Sequence, residues 1–347
     1  MKNTKQYPRK EITIKNIAEL AGVSFSTVAK ALRNDPLVNI KTRERIQKIA
    51  KEMNYYPNLL AKGLKNKKTK TIGIILNDLQ SPFYAEIYKV IGDILNERDY
   101  TMLLCDSNYD QNLERKNIIT MISNGVEGII ISPINENSPN INLIIERNLK
   151  AVFIDSLPNF PNINYVYANH EKAAFLAAEH LIQSGHKDIL LLNGPEELSS
   201  SHHFLRGYTQ ALEKYGLLLR EDLVIFSHLS IESGAEVLKK ISRNRNINDI
   251  GFTAIMSLSD LLAIGVYDAA KELSLRIPED VSVVGYDNIF ASKYVCPPLT
   301  TVHQPKTRTG MYSIQILLEQ ISGDFKEYKK MIIDPILVKR SSVRVIK

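Results

Sequence analysis

The hydrophobic period of this chain changes once, and that change limits the folds open to it. From Thr13 to Met53 the apolar residues recur every three or four positions, the spacing that turns one face of a helix inward. From Thr71 onward, short β-rich runs alternate with helical stretches. The runs are Thr71–Asn77, Tyr100–Cys105, Gly128–Ser132, Ala151–Ile154, Asp188–Asn193, Leu223–Phe226, Phe252–Ser257 and Val281–Gly285. Between them lie helical segments such as Ala85–Glu97, Leu113–Ser123, Glu171–Gln183, Phe204–Tyr215 and Asp260–Leu273. The pattern predicts an all-α head, then an α/β body of doubly wound parallel sheets. So many strands outgrow one core, so the body is expected to divide into two lobes. Pro158, Pro161 and several Asn mark Ser156–Asn164 as a crossover between the lobes, with a second near Pro297–Gln304. Ligands of such folds sit at the carboxyl ends of the strands, here facing the cleft.

Charge divides at the same place. Residues 1–70 hold 17 Lys+Arg against 5 Asp+Glu, a net of +12, whereas 71–347 hold 27 against 33, a net of −6. A basic head on an acidic body points to a polyanionic partner, although a solvated basic face would give the same count. With 44% hydrophobic and 24% charged residues the chain is globular rather than disordered. No apolar run reaches the roughly 18–20 residues of a membrane span. Met1–Lys10 is polar and basic, without the apolar core of a secretory signal, so a soluble, cytoplasmic protein is expected. Two cysteines, Cys105 and Cys296, cannot build a disulfide framework or a four-thiolate zinc site.

Within the head, Thr13 is placed to cap a helix Ile14–Ala21, and Gly22 allows a sharp turn. Ser24 then caps Phe25–Leu32, and Asn39 caps a third helix reaching Met53. Val28 and Leu32 should face the first helix, with Ile46, Ile49 and Met53 also inward. Phe25, Ser26, Thr27, Ala29 and Lys30 are left outward. This is a helix-turn-helix order, in which the start of the second helix enters the major groove of DNA. A three-helix bundle with no nucleic-acid role has the same spacing.

Longer motifs narrow the choice. The run TIKNIAELAGVSFSTVAKAL, then VNIKTRERI, then YYPNLLAKGL, resembles the DNA-binding end of the lac repressor (LacI/GalR) family. HLIQSGHKDILLLNGP, RIPEDVSVVGYDN and PPLTTVHQP follow in family order, so the resemblance covers about residues 12–340. It implies a helix-turn-helix domain at 1–57, a hinge helix and linker at 58–70, and an effector-binding and dimerisation body at 71–347. The body would be like a periplasmic binding protein, with an N-lobe near 71–165 and 304–331 and a C-lobe near 166–303 and 332–347. The implied function is a sequence-specific transcription regulator, a repressor of carbohydrate-use genes, with no cofactor and no membrane. Its partners would be a near-palindromic double-stranded operator, a second copy in a homodimer, and a small effector such as a sugar or sugar derivative.

Carried over residue by residue, the resemblance makes Phe25 and Ser26 the main base readers and Lys30 a third, where Arg is usual. Phe25 offers only apolar contact, for example to a thymine methyl, and Lys30 cannot make a bidentate fork. Thr13, Ser24, Thr27, Asn39, Thr42 and Arg43 join them in the DNA-contacting set, Thr27, Asn39, Thr42 and Arg43 as backbone contacts. In the hinge, Asn58 and Ala61 accompany Leu64, which takes the place of a wedge into the minor groove. In the cleft, Phe83 and Tyr84 match aromatic or apolar positions at its mouth. Asp155, Ser200, Asp287 and Gln304 match polar positions that meet ligand hydroxyls or amines. Three positions depart: Phe204 replaces a usual Arg, Ser259 a usual Asn, and Leu229 an aromatic that often stacks on a sugar. Losing a guanidinium and an amide removes donors, which puts a standard free sugar in doubt and leaves open control by a protein partner on the body surface.

Enzyme readings find little. Seven His (170, 180, 186, 202, 203, 228 and 303) show no HExxH or other metal-ligand spacing, and His202–His203, on a Ser-rich loop, read as bystanders. No glycine-rich phosphate loop and no Gly-x-Ser-x-Gly elbow is present.

Overall fold

A computed structural model of the chain describes residues 12–55, 69–242 and 251–346. Residues 1–69 and 70–347 form two separate compact units. The head contains α1 (Ile14–Ala21), α2 (Phe25–Ala31) and α3 (Ile40–Glu52). Ile17, Val28, Ala31 and Ile46 are fully buried at its centre, with Ile14, Leu32, Ile49 and Met53 packed around them. Its helix starts are set by short polar side chains. Asn16 Oδ1 accepts from the Thr13 N–H at 2.9 Å and from its hydroxyl at 2.8 Å. Ser24 Oγ accepts from the Thr27 N–H at 3.2 Å, and Asn39 Oδ1 from the Lys41 N–H at 3.0 Å. Gly22, at φ 58°, ends α1 in the left-handed region that turns the chain into α2.

The body opens with β1 (Thr71–Leu76), α4 (Pro82–Asn96), β2 (Thr101–Asp106), α5 (Gln111–Ser123), β3 (Gly128–Ile131), α6 (Pro139–Glu146), β4 (Ala151–Ile154) and β5 (Asn164–Ala168). It continues with α7 (His170–Gln183), β6 (Ile189–Asn193), α8 (Ser199–Lys214), β7 (Val224–Phe226), α9 (Ile231–Ser242), β8 (Ala254–Ser257), α10 (Asp260–Glu272), β9 (Ser282–Asp287) and β10 (Thr300–His303). α11 (Lys306–Ser322), β11 (Lys330–Ile333) and β12 (Ile336–Val338) complete it. The strands form two six-stranded sheets, ordered β11-β5-β4-β3-β1-β2 and β12-β10-β9-β8-β6-β7. Every pairing is parallel except β10 with β12. Each sheet is buried on both faces, which is why its strands read as continuous runs of Ile, Val and Leu rather than alternating ones. Among the described residues no helix is long and apolar enough to cross a membrane.

The chain passes between the lobes three times: after β5 at Asn169, after β10 at Gln304–Pro305, and between β11 and β12. The expected crossing at Ser156–Asn164 is therefore corrected. That stretch links β4 to β5 within one sheet, where Val152 to Ile154 pair with Asn164 to Val166. Its Pro and Asn residues punctuate a loop, and β5, begun by Asn164, was hidden behind them.

Candidate functional site

On α2, Phe25, Ser26 and Lys30 are exposed, Phe25 to 61%, and Thr27 is half-buried. A phenyl ring left that open adds little to the core of the bundle, as do Leu20, Leu37 and Ile40, exposed to 64%, 81% and 65%. Ser24 Oγ lies 2.8 Å from both Ser26 Oγ and Thr27 Oγ1, so the three hydroxyls cluster at the positive end of the helix. Thr13 and Asn39 are exposed cap positions. Thr42 is half-buried, and Ala29 likewise. Arg43 is more committed than expected: its Nη2 donates to the carbonyls of Asp35 at 3.2 Å and Val38 at 3.0 Å, stitching the loop before α3. Asn58, Ala61 and Leu64 lie outside the described residues.

The cleft between the lobes closes on a small cavity of about 50 Å³. Phe83, Tyr84, Asp155, Ser200, Leu229, Ser259, Asp287 and Gln304 all line it. Phe204 does not. It is fully buried in the C-lobe core, with its ring 5.4 Å from that of Tyr286, because an apolar side chain at that point of α8 gains more by facing the sheet than a polar cleft. Arg206 points elsewhere on the helix, 3.4 Å from the Glu171 carboxylate. His202 and His203 lie on α8 itself, not on a loop.

Polar side chains of the N-lobe wall hold one another. Tyr84 donates to Asp155 Oδ2 at 3.0 Å and lies 3.1 Å from Ser132 Oγ. Asn77 Nδ2 donates to Ser132 Oγ at 3.1 Å while its Oδ1 accepts from Ser107 at 2.9 Å. Tyr84 is thus buried with its hydroxyl satisfied rather than set at the mouth. Asp155 and Asp287 end β4 and β9 with φ of 58° and 112°, and Asn108 and Tyr109 turn after β2 at 46° and 54°. Left-handed backbone at four non-glycine residues, three of them lining the cavity, is strain of the kind that gathers at binding sites.

At the carboxyl end of β9, Asp287 accepts from Gln304 Nε2 at 2.7 Å. The buried Lys306 does not pair with that carboxylate. Its Nζ donates to the carbonyls of Asp287 and Asn288 at 2.8 and 2.9 Å and sits 3.1 Å from Glu86. Burial first, then the charge of Asp260, holds the Asp287 carboxyl well above its usual range.

Each lobe also contains one buried carboxylate behind the cavity wall. Glu114 accepts from the Ile134 N–H at 3.0 Å, Ser138 Oγ at 3.0 Å and Asn140 Nδ2 at 2.7 Å, bracing the loop that carries Pro133 and Ile134. Asp260 accepts from the Ile289 N–H at 2.8 Å, Thr301 Oγ1 at 2.6 Å and Ser292 Oγ, bracing the turn after Asp287. Burial raises both carboxyls, Asp260 to about 6.

Sequence reasoning missed His170, Tyr109 and Tyr286, which also line the cavity. His170 Nδ1 lies 2.6 Å from the Tyr286 hydroxyl, and its Nε2 is 3.0 Å from Asp155 Oδ1 but out of hydrogen-bonding line. The signal for His170 was its place directly after Asn169, visible only once the chain crossing is set there.

Comparison with known proteins agrees with this architecture. Residues 13–58 match the family described as bacterial regulatory proteins, lacI family, and residues 178–343 match the periplasmic binding protein-like domain. The HTH-type transcriptional repressor PurR of Histophilus somni is 31% identical over 335 residues, covering 96% of this chain and 99% of that protein. PurR of Proteus mirabilis is 31% identical over 336 residues, covering 95% and 96%. Among solved structures, the lac repressor dimer bound to operator and the anti-inducer ONPF superposes with a TM-score of 0.84 at 27% identity, covering 96% of this chain and 100% of that one. A LacI family regulator from Enterococcus faecium with bound ribose gives 0.68 at 28%, covering 80% and 100%. A basic three-helix head with an exposed second helix, a two-lobed body with a cavity between its lobes, and 31% identity to a transcriptional repressor over 96% of its length place this chain in the LacI family of DNA-binding bacterial transcription regulators.

Proposed function

We propose that the chain is a homodimeric, ligand-responsive repressor of carbohydrate-use genes, reading a near-palindromic operator with Phe25, Ser26 and Lys30 and sensing an effector in the cleft. One observation carries the sensing role: eight residues from segments scattered between Phe83 and Gln304 enclose a single cavity between lobes joined by three crossings. At about 50 Å³ the cavity is far below the roughly 300–1,000 Å³ of small-molecule sites, so an effector must part the lobes to enter. Parting them is a change of lobe angle, the motion by which such a body alters the spacing of its heads. A sugar class is supported by solved relatives that hold ribose and, in the CelR regulator, cellobiose.

A dimer is supported by Phe290 and Tyr294, exposed to 69% and 64% with rings 4.8 Å apart, and by Lys293 Nζ within 4.9 Å of both. Two adjacent open aromatic rings on a folded surface are apolar area of the kind a partner subunit covers. Leu64 retains its wedge role on sequence alone.

Electrophoretic shift of genomic fragments, with and without sugars, tests the function. Specific retention of a near-palindromic fragment that a ligand releases or strengthens is expected. Absence of any specific fragment at moderate salt would remove the repressor role. Specific retention that no small molecule changes would favour control by a protein partner. Leu64→Ala should lower both affinity and bend angle in a phasing assay.

A further inference from the structure

The cleft presents an unusual balance of charge. Among the described residues, Asp78, Asp155 and Asp287 line it with one histidine, His170, whose Nε2 stands 3.0 Å from Asp155, and no Lys or Arg does. The buried Lys306 is held by the carbonyls of Asp287 and Asn288 and by Glu86, so its N–H groups are already engaged, although its charge still acts on the Asp287 carboxyl. Arg340, next to the same turn, donates to Leu299 O and Asn288 Oδ1. The tyrosines feel the imbalance: burial, then the charges of Asp78, Asp155, Asp287 and Asp106, push the Tyr109 hydroxyl far above its ordinary value.

Among the described residues, two acceptors in this wall have no hydrogen-bonded donor, although His170 Nε2 stands 3.0 Å from one of them, Asp155 Oδ1. Gln304 is buried and lines the cavity; its amide N–H₂ is given to Asp287, which leaves Oε1 without a partner. Asp155 Oδ1 also lacks an aligned donor. Buried acceptors of this kind are costly to leave unmet, so the ligand that stabilises the site is one that brings donors. A neutral sugar brings hydroxyl donors but no charge, and a phosphate or carboxylate brings acceptors into a field already negative.

Building on the small-molecule reading above, we propose that the effector carries a protonated amine beside hydroxyl groups, as an amino sugar does, with the ammonium received by Asp155, Asp287 and Gln304 Oε1. An ammonium supplies three donors to acceptors drawn from both lobes and favours the charged form of Asp287, whose carboxyl burial otherwise holds well above its usual range.

The test is calorimetry and thermal shift on the full-length protein, with matched probes. They are glucosamine, galactosamine, mannosamine, putrescine and spermidine against glucose, galactose, mannose, N-acetylglucosamine, glucose 6-phosphate and gluconate. At least one amine should bind about tenfold or more tightly than its uncharged or acidic counterpart, with affinity falling as salt rises. Asp155→Asn and Asp287→Asn should each erase most of that preference, and Asp78→Asn, whose Oδ1 already accepts from the Gln80 N–H at 2.8 Å, a smaller part. Retained operator binding in the same preparations shows that the variants are folded. Tighter binding of neutral or anionic probes overturns the ammonium and leaves the small-molecule sensor standing. No binding by any probe to a protein that still holds its operator overturns both.

Discussion

The two lobes wind their strands in the same order, yet they divide the work of the cleft. The N-lobe wall is a hydrogen-bonded polar surface, Asn77, Ser107, Ser132, Tyr84 and Asp155, in which most groups already have partners. The C-lobe supplies every leucine of the cavity, Leu198, Leu229, Leu258 and Leu261, around one buried acid, Asp287. Neither wall is of one kind, since Phe83, Pro133 and Ile134 lie on the first and Ser199, Ser200, Ser259 and Gln304 on the second, but the groups already paired gather on the first and the leucines on the second. The lobes differ in packing too. In the C-lobe, α9 and α10 touch backbone to backbone, where a Cβ on Gly265 would stand 1.9 Å from Ile231 O; in the N-lobe, one on Gly310 would stand 3.0 Å from Val90 Cβ.

That contrast can be broken first by adding one methyl to each lobe. Gly265→Ala should cost about 3 kcal/mol or more in urea unfolding, and Gly310→Ala about 1 kcal/mol, because its Cβ would meet Val90 Cβ at 3.0 Å and the Ile87 carbonyl at 3.1 Å, contacts relieved by small shifts rather than by parting two helices. Equal losses would mean that the lobes are packed alike.

Next come the carboxylates behind the walls. Glu114→Gln and Asp260→Asn each replace an acceptor of three hydrogen bonds by a group that can keep only some of them, and each should cost about 1–3 kcal/mol. Their consequences should separate by lobe: the first should loosen hydrogen-exchange protection near Ile134 to Asn140, and the second near Ile289 to Thr301.

The acid Asp260 also predicts a slope with pH. Its folded value of about 6 lies above the ordinary 3.8, so the folded state retains a proton that the unfolded chain has lost. Stability from this group is complete below about 4 and falls as pH rises to about 6, by on the order of 3 kcal/mol. His186, in the same lobe, opposes it. Buried against Thr253 Oγ1 at 2.8 Å and the Arg344 carbonyl at 3.2 Å, it is lowered from 6.5 to about 4. Its contribution is complete above 6.5 and is lost as pH falls toward about 4. Asp260→Asn should therefore steepen acid destabilisation, and His186→Gln should reverse the slope between pH 4 and 6, both read from urea midpoints.

The smallest effects are the hydroxyls. Tyr84→Phe frees Ser132 and Asp155, and Tyr286→Phe frees His170, each at about 1 kcal/mol.

How much of this was legible in the sequence also differs by region. All three head helices could be read to within a residue or two, because Thr13, Gly22, Ser24 and Asn39 are local signals and the period is unbroken. The body strands that are long runs of branched residues could be read as well. β5, β10, β11 and β12 could not: Asn, Tyr, Thr, His and Lys interrupt the apolar residues of the first three, and β12 is Ile336–Val338 alone, so none stands out as a long branched run. In the cleft, positional likeness led to residues already known to be polar or aromatic in relatives. It could not show that Phe204, lacking a charge to solvate, would turn into the core, nor that Arg43 would be taken up by its own loop. His170 and Tyr286 are 116 residues apart and meet only through the fold.

The three passages of chain between the lobes have a mechanical meaning. Stiff plates tied at Asn169, at Gln304–Pro305 and between Ile333 and Ile336 resist sliding and separation far more than they resist tilting. Whatever occupies the cleft can therefore report itself in essentially one coordinate, an angle, and chemically unrelated occupants that wedge it open equally would be indistinguishable to the rest of the molecule.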